Sequence, residues 1–390
     1  MTTNVIGKAV RGDNFFGRDR ELKDLREASQ HDHVLLLAPR RVGKTSLLLA
    51  TEAAERVAGT VHPVFVSVAG ARTEEDFVRL LLDAAHATPA GKRFRLRRLA
   101  RWLQKRRRIK SATVAGTGVE LEPATASWQE RADAALLALA KVDRPWLFLI
   151  DELPVLVLAL AAVDPTSGRV RAFLQWFRHL RQRPELTDKL RFVLAGSIGL
   201  DSITRRHSMS STINDLRIQR LGPFEAETAD RFLATLGRSH ELTLAPELRA
   251  FIAEQVEWLI PYHLQGVVSG LRARGGNRLS EVHVAQTIES MLENRTYFDS
   301  WFERLPDAVG AADRDHALAI LSACAMEPRG ATIDTMRGAL ARPIADATAR
   351  EQTLKWILDV MFNDGYIVKQ DDRWRFRSGL LRRYWERYFA

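Results

Sequence analysis

A basic loop that follows directly on a short apolar run constrains the fold more than any other feature of this chain. Residues 38–46 read APRRVGKTS, and the run before them, Val34–Leu37, has the length and composition of a buried strand. After the loop, residues 44–58 read KTSLLLATEAAERVA, in which helix-forming residues place apolar side chains at helical spacing. Strand, loop and helix in this order are the setting that a phosphate-binding loop requires.

The loop matches the phosphate-loop pattern G-x-x-x-x-G-K-[ST] at three of its four fixed positions, because Ala38 replaces the first glycine. Ala38 adds only a methyl group, so we expect the turn to form. Backbone N–H groups would converge on a β-phosphate, Lys44 would neutralise β- and γ-oxygens, and the Thr45 hydroxyl would bind Mg²⁺. The residues predicted to bind a nucleotide here are Ala38, Pro39, Arg40, Arg41, Val42, Gly43, Lys44, Thr45 and Ser46.

A second motif, WLFLIDE at 146–152, is an apolar strand that ends in two carboxylates. Asp151 can orient Thr45 or a water on Mg²⁺, and Glu152 can polarise the attacking water. The alternatives are a chance GKT sequence in a basic loop and a strand that ends at an ordinary acidic turn. The two motifs occur together and in the order that nucleotide binding requires, which favours the nucleotide site.

Further apolar runs at 61–68 and 191–195 indicate two more strands, with helical stretches between the strands. Strands that alternate with helices predict a parallel sheet with both faces covered. From 225 to about 293 the sequence is helical, and from 314 three helices precede a hairpin pattern and a last helix. We therefore predict an α/β P-loop NTPase domain at 1–224, a helical lid domain at 225–300 and a winged-helix domain at 301–390.

The segment LAGSIG at 194–199 follows a strand and admits two interpretations. Its small residue, Ser197 and Gly199 fit the spacing of a hydrolase nucleophile elbow, which would also require an acid and a histidine in order. Because a phosphate loop is present, we favour Ser197 as a polar residue that senses the γ-phosphate from the neighbouring strand.

The formal net charge of +10 favours a polyanionic partner, although an ordinary arginine-rich enzyme has the same balance. Much of the charge lies at 92–110, KRFRLRRLARWLQKRRRIK, inside an insert predicted at about 92–127. This stretch has no acidic residue, and Leu96, Leu99 and Leu103 fall on one helical face. Such a cationic amphipathic helix binds nucleic-acid phosphates, docks on its own domain or binds an anionic membrane, and we favour these alternatives in that order.

The predicted winged helix carries a second candidate DNA surface. Its third helix, TLKWILDVMF at 353–362, would enter a major groove. The apolar residues of that helix are needed for the core of the domain, so only Lys355, Asp359 and their neighbours remain to contact bases. Four basic residues of the wing are expected on phosphates, namely Lys369, Arg373, Arg375 and Arg377. Winged helices also dock proteins, and the sequence leaves DNA and a protein as equal alternatives.

Several motifs together resemble those of the archaeal-type P-loop ATPases, a STAND and AAA-like group with a C-terminal winged helix. The resemblance covers nearly the whole chain and implies an ASCE/AAA-like fold, with ATP rather than GTP as the nucleotide. The motifs that carry it are FFGRDREL at 15–22, APRRVGKTSLL at 38–48, LFLIDELP at 147–154, LAGSIGL at 194–200, RLGPF at 220–224 and RFRSGLLRRYW at 375–385.

The resemblance also implies roles for individual residues. The FFGRDREL segment would pack beside the adenine, with Gly17 and Arg18 at its tip. Lys44 and Thr45 would be the Walker A pair, and Asp151 and Glu152 the Walker B pair. Ser197 would be the sensor.

Two features of the sequence depart from the pattern of this group or leave a role ambiguous. Pro261 would reach the nucleotide from the lid, but Leu259 stands where STAND relatives usually carry the glycine of a Gly-x-Pro signature. The arginine finger that completes the site also has three candidates, namely Arg205, Arg206 and Arg217. The resemblance permits a homo-oligomer, in which a neighbouring copy would supply the finger.

The predicted function is that of a Mg²⁺-dependent, ATP-hydrolysing molecular switch, which couples nucleotide state to binding of DNA or a protein partner. The alternative is a non-enzymatic DNA-binding regulator whose P-loop domain is slow or inactive. A P-loop kinase that phosphorylates a small molecule is disfavoured, because no separate acceptor lid is evident and the chain ends in the predicted winged helix.

The sequence predicts a cytoplasmic protein. Its N-terminus lacks the apolar core of a signal peptide, and the most apolar stretch, at 145–163, has Asp151 and Glu152 in its middle. The single cysteine, Cys324, excludes a disulfide within one chain. The histidines show no spacing typical of metal ligands, so we expect them to be structural or solvated.

Overall fold

The computed structural model describes residues 7–93, 127–164, 166–196, 199–275, 279–303, 305–327 and 329–389. The predicted sensor Ser197 and residues 94–110 of the predicted cationic helix lie outside the described residues.

The sheet next to the phosphate loop has five parallel strands, in the spatial order β2-β3-β4-β1-β5. The strands are β1 Val34–Leu37, β2 His62–Ser67, β3 Trp146–Asp151, β4 Leu190–Gly196 and β5 Arg217–Arg220. The first four correspond to the predicted strands, whereas β5 was not predicted. Leu37 pairs with Gly196, so the carboxyl end of β1 lies beside that of β4, and β3 follows on the far side of β4. This edge of the sheet is where a ligand site is expected.

Helices cover both faces of this sheet. Its core includes a row of aromatic side chains, in which Trp146 and Phe148 of β3 stack and Phe148 stacks on Phe192 of β4. Two of the helices begin with capping boxes, formed by Thr73 with Asp76 and by Ser127 with Glu130. The helices of this section are α1 Asp19–Ser29, α2 Lys44–Ala58, α3 Glu74–Ala87, α4 Pro89–Arg93, α5 Trp128–Leu139, α6 Leu153–Val163, α7 Gly168–Gln182, α8 Pro184–Thr187 and α9 Leu200–Arg206.

The section after β5 is helical, as the sequence predicts. Its helices are α10 Ala226–Ser239, α11 Pro246–Val256, α12 Pro261–Arg274, α13 Glu281–Glu293, α14 Arg295–Phe302 and α15 Leu305–Val309. The predicted domain boundary at 300 falls within α14. The division of the chain at 224 and 300 remains a prediction.

The C-terminal section contains three helices, a hairpin and a last helix. These are α16 Arg314–Met326, α17 Ile333–Ala339, α18 Ala347–Asp364, the antiparallel strands β6 Ile367–Gln370 and β7 Arg373–Phe376, and α19 Gly379–Tyr388. A single bridge between Ala331 and Trp374 extends the hairpin on one side. Among the described residues, no helix is long and apolar enough to cross a membrane.

Candidate functional site

The loop between β1 and α2 has the backbone conformation of a tight, open turn. Arg41 and Gly43 have positive φ values of 62° and 104°, and α2 begins at Lys44 directly afterwards. Nothing lies within 4 Å of a Cβ added at Gly43, so its backbone angle, rather than crowding, favours glycine there. The N-terminus of α2 and its unpaired N–H groups therefore lie at the loop, as anion binding requires.

The two predicted carboxylates lie beside this loop. The Thr45 hydroxyl donates a hydrogen bond of 2.6 Å to Asp151 Oδ2. Lys44 Nζ is 3.9 Å from Asp151 Oδ1 and 3.7 Å from Glu152 Oε1. Lys44 and Asp151 are both buried, so each charge requires the other as a partner. The Glu152 backbone N–H donates to Asp151 Oδ1 and so fixes the orientation of that carboxylate.

Glu152 stands at a strained position between β3 and α6. Its φ of 62° is in the left-handed region, which residues other than glycine, asparagine and aspartate seldom adopt. The turn directs β3 into α6, which has Pro154 in its first turn. Such strain is often found at functional positions.

A cavity of about 340 Å³ opens above the loop. The phosphate loop and Glu152 form one part of its wall, and aromatic side chains and the start of α12 form the rest. The lining also includes the N-terminal segment 7–10, whose Val10 N–H donates to Ser46 Oγ at 3.1 Å. Lining residues that the sequence did not point out are Asn14, Phe232, Tyr262 and Gln265, whereas Phe224 belongs to the RLGPF motif.

Most of the predicted nucleotide-binding residues line this cavity. They are Arg18, Pro39, Arg40, Arg41, Val42, Gly43, Lys44, Thr45, Ser46, Glu152 and Pro261. Gly17, Ala38 and Asp151 do not line it, and Asp151 reaches the site through Thr45. The predicted functional role of each residue remains a prediction.

Arg18 acts mainly as a clamp in this structure. Its Nη2 donates to the carbonyls of Gly222 at 2.6 Å and Val42 at 3.3 Å, and its Nη1 to Glu21 at 2.6 Å. The guanidinium also lies 4.5 Å from the centre of the Phe224 ring. Burial lowers the pKa of Arg18. These contacts join the N-terminal segment, the phosphate loop and the end of the sheet section.

The start of α12 contacts the phosphate loop through Arg41. Its guanidinium lies 3.8 Å from the centre of the Tyr262 ring, which stacks on Tyr297 at 4.5 Å between centroids. Each of the two tyrosine hydroxyls donates to the backbone carbonyl of the other residue, at 3.1 and 2.9 Å. Burial raises the pKa of Tyr262. The stacked pair therefore fixes the start of α12 against the loop.

The residues present fit a nucleotide with a divalent cation. The Thr45 hydroxyl and the Asp151 carboxylate supply the oxygen ligands that Mg²⁺ prefers. Arg18 also lines the cavity and supplies a positive charge there. Within the ranges that the structure describes, no group of three or more His, Cys, Asp and Glu side chains forms another metal site.

None of the three candidate finger arginines lines the cavity. Arg205 forms an ion pair with Asp359, and Arg217 forms one with Asp32 at 3.1 Å. Arg206 Nη2 is 3.0 Å from Asp313 Oδ2, and its guanidinium lies 4.3 Å from the centre of a ring of Trp356. In this arrangement, each candidate is directed elsewhere, and two of them contact the C-terminal section.

Two expectations about the predicted DNA surface need correction. Asp359 is not free to contact bases here, because it pairs with Arg205. Arg377 is not free for phosphates, because it is half-buried, donates to the Phe362 carbonyl at 3.2 Å and lies over the Trp258 ring. Its position follows from contacts with Phe362 and Trp258, which no local sequence pattern indicates.

The other predicted wing and helix residues lie at the surface or in surface ion pairs. Lys369 pairs with Asp372 at 2.7 Å, and Arg373 pairs with Glu327 at 3.1 Å. Arg375 and Lys355 are exposed. Contact of this surface with DNA remains a prediction.

Comparisons with known proteins show the fold. No protein-family model matches the sequence, and no curated protein is significantly similar to it. The structure is similar to the Walker-type ATPase paby2304 of Pyrococcus abyssi, with a TM-score of 0.64 and 18% identity over 98% of this chain and 99% of that one. It is also similar to the ORC2 protein of Aeropyrum pernix in ADPNP and ADP complexes, with a TM-score of 0.51 and 13% identity over 94% and 92%. Together with the parallel sheet, these similarities confirm the predicted P-loop NTPase fold.

Proposed function

We propose that the protein is a Mg²⁺-dependent ATPase that acts as a molecular switch. The observation that carries this proposal is the convergence of Lys44, Thr45, Asp151 and Glu152 beside one loop, although two of them are more than 100 residues from the others in the chain. A chance GKT sequence would not be expected to meet a buried carboxylate through a 2.6 Å hydrogen bond.

Binding of the triphosphate follows from the loop geometry. Backbone N–H groups at the N-terminus of α2 would bind the β-phosphate, and Lys44 would lie between the β- and γ-phosphates. Thr45 and Asp151 would hold Mg²⁺, which supplies charge neutralisation of the phosphate oxygens when it is bound.

Glu152 is the proposed residue that orients and polarises the attacking water. It lines the cavity, and its Oε1 is only 3.7 Å from Lys44 Nζ, so it lies next to the predicted position of the terminal phosphate. The left-handed backbone at Glu152 holds the carboxylate at the mouth of the loop, instead of along β3. Ser197, which lies outside the described residues, remains the predicted γ-phosphate sensor in this proposal.

ATP is proposed as the nucleotide because of two similarities. The sequence resembles the archaeal-type STAND and AAA-like ATPases, and the similar Aeropyrum ORC2 structure holds ADPNP and ADP. Membership of the STAND group and a winged-helix identity for the C-terminal section belong to the same proposal. The helix, helix, helix and hairpin order at 314–376 supports the latter.

The proposed output is binding of DNA or a protein partner by the C-terminal section. The net charge of +10 supports a polyanion, as do the exposed Lys355 and Arg375. We also propose that a neighbouring copy completes the site in a homo-oligomer, since Arg205, Arg206 and Arg217 do not line the cavity of their own chain. The proposed compartment is the cytoplasm.

Nucleotide binding and phosphate release test the proposed activity. We expect Lys44→Ala to abolish binding of a fluorescent ATP analogue, whereas the exposed control Lys141→Ala binds it normally. Glu152→Gln should retain binding but lose at least about 100-fold in phosphate release, as removal of a catalytic base does. The exposed control Glu254→Gln should hydrolyse ATP at the wild-type rate. Unchanged ATP affinity in Lys44→Ala would contradict the proposal.

The same measurements separate the alternative, a DNA-binding regulator without enzymatic activity. If Glu152→Gln releases phosphate no more slowly than the wild type, and both bind a DNA duplex equally, the alternative is supported. Adding DNA to the hydrolysis assay provides a further distinction, because only a coupled switch changes its turnover rate on binding its partner.

A further inference from the structure

The C-terminal end of α18 lies against the back of the phosphate loop. The Arg40 backbone N–H donates to the Asp364 carbonyl at 3.4 Å, and Arg40 Nε lies 3.7 Å from Asp364 Oδ1. The next residue, Gly365, has a φ of 90°, and a Cβ added there would lie 2.7 Å from Pro39 Cβ. Glycine therefore permits the closest approach between the loop and the C-terminal section.

Arg40 lies between the cavity proposed for the phosphates and the carboxylate of Asp364. On one side it lines the cavity that would hold the phosphates. On the other it faces Asp364, whose side chain is only 2% exposed, while that of Arg40 is 11% exposed. Because Asp364 is also the last residue of an 18-residue helix, the negative end of the helix dipole adds to its charge. A buried carboxylate at this position depends on a cation nearby.

We infer that Arg40 is shared between the nucleotide and Asp364, so that triphosphate binding weakens docking of the C-terminal section on the P-loop section. This inference rests on the proposed function, because it takes Mg²⁺-ATP as the ligand. Phosphate oxygens in the cavity would attract the same guanidinium and so weaken its pairing with Asp364. They also bring negative charge close to the buried carboxylate.

Two further docking contacts lie away from the cavity. Asn363 Nδ2 donates to Ser202 Oγ at 2.6 Å, and Asp359 pairs with Arg205, so α18 also contacts α9. Neither Asn363 nor Asp359 lines the nucleotide cavity. Undocking would free this face of α18 for a partner. These contacts allow docking to be weakened without a change in the nucleotide site.

The first test uses the thermodynamic linkage between nucleotide binding and docking of the C-terminal section. If nucleotide binding weakens docking, weaker docking must tighten nucleotide binding by the same factor. We expect Asp359→Asn and the charge-neutral Asn363→Ala each to lower the Kd of a non-hydrolysable Mg²⁺-ATP analogue roughly threefold, since exposed contacts are individually weak. Isothermal titration calorimetry measures this directly.

The control for the first test is Asp372→Asn. It removes the same charge, but Asp372 pairs with Lys369 inside the hairpin, so the Kd should not change. An unchanged or higher Kd in both Asp359→Asn and Asn363→Ala would overturn the inference while leaving the proposed function intact. A wild-type protein that does not bind the analogue would instead contradict the proposed function.

A double-mutant cycle tests the role of Arg40 itself. Asp364→Asn should lower the Kd of the analogue in the wild-type background but have no effect in Arg40→Ala. An equal effect in both backgrounds would show that Asp364 acts only through packing, and would overturn the inference.

If Asp364→Asn does not fold, hydrogen exchange of the wild-type protein decides instead. The analogue should protect amides at 38–47 and increase exchange at 359–365. Slower or unchanged exchange at 359–365, with protection at 38–47, would overturn the inference.

Discussion

The Thr45 hydroxyl donates its hydrogen bond to Asp151 Oδ2 over 2.6 Å and so joins the start of α2 to the tip of β3. Thr45 follows β1 and Asp151 ends β3, and β4 lies between these two strands in the sheet. The contact therefore depends on the strand order. It places one hydroxyl and one carboxylate oxygen together beside the buried Lys44. The arrangement suits a divalent cation that is held against phosphates.

Asp151→Asn should weaken the effect of Mg²⁺ on nucleotide affinity. An amide oxygen carries no charge, so we expect Mg²⁺ to tighten binding of an ATP analogue about tenfold less than in the wild type. The measurement compares Kd values with Mg²⁺ and with EDTA. Thr45→Ser keeps the hydroxyl and should retain the wild-type ratio, whereas Thr45→Val should resemble Asp151→Asn. A wild-type ratio in Asp151→Asn would exclude the proposed metal site.

A buried ion pair holds the end of α7 against the segment before β5. Arg181 is 1% exposed at its side chain, and its Nε and Nη2 donate to the two Asp215 oxygens at 2.8 Å. Arg181→Met leaves the acid unpaired, so we expect the free energy of unfolding to fall by about 3–5 kcal/mol. Chemical denaturation measures this loss. Arg183→Met removes the more exposed pair with Asp133 and should cost about 1 kcal/mol or less, and equal losses in both variants would contradict the prediction.

The sequence was sufficient to predict the sheet wherever a strand is buried on both faces. Val34–Leu37 and 146–150 are continuous apolar runs, because parallel strands under two layers of helices have no solvent face. The strand β5, RIQR, could not be found in this way. It is an edge strand that is largely exposed, so its polar residues carry no burial pattern.

The parts of the site that the sequence missed all depend on contacts between distant elements. Tyr262 and Gln265 reach the cavity because α12 begins above the phosphate loop, which no spacing within 225–293 reveals. Arg377 was predicted on DNA phosphates from its place in a basic wing, but it is half-buried and contacts Phe362 and the Trp258 ring. Local patterns identified the residues of the loop and the carboxylates, while tertiary packing decides what surrounds them.

His33 should make the stability of the protein fall in mild acid. The Phe192 N–H donates to its Nδ1, and its Nε2 donates to the Arg181 carbonyl, each at 3.2 Å, so the ring is held neutral. Burial lowers the pKa of His33 from 6.5 to about 4. Between these values the unfolded chain binds the proton and the folded chain does not. The free energy of unfolding should therefore fall as the pH drops below 6.5, by about 3 kcal/mol at pH 4 from this residue.

The difference between wild-type and His33→Gln unfolding profiles across pH 4 to 7.5 isolates this contribution. His33→Gln should lose less stability than the wild type on acidification, because glutamine does not titrate. The exposed control His31→Gln should follow the wild-type profile. Parallel profiles for the wild type and His33→Gln would contradict the expected linkage.

Gly17 should tolerate no side chain, for two separable reasons. Its φ is 65°, and an added Cβ would lie 2.4 Å from Thr228 Cγ2 on α10. Gly12 has a similar φ of 55° but open space around it, so Gly12→Ala should cost only the backbone strain, about 1 kcal/mol. Gly17→Ala should cost about 2–3 kcal/mol in chemical denaturation, because the clash adds to the strain. In a Thr228→Ser background, which lacks Cγ2, the cost of Gly17→Ala should fall to that of Gly12→Ala. If Thr228→Ser gives no such relief, the N-terminal segment does not pack on α10 as the structure shows.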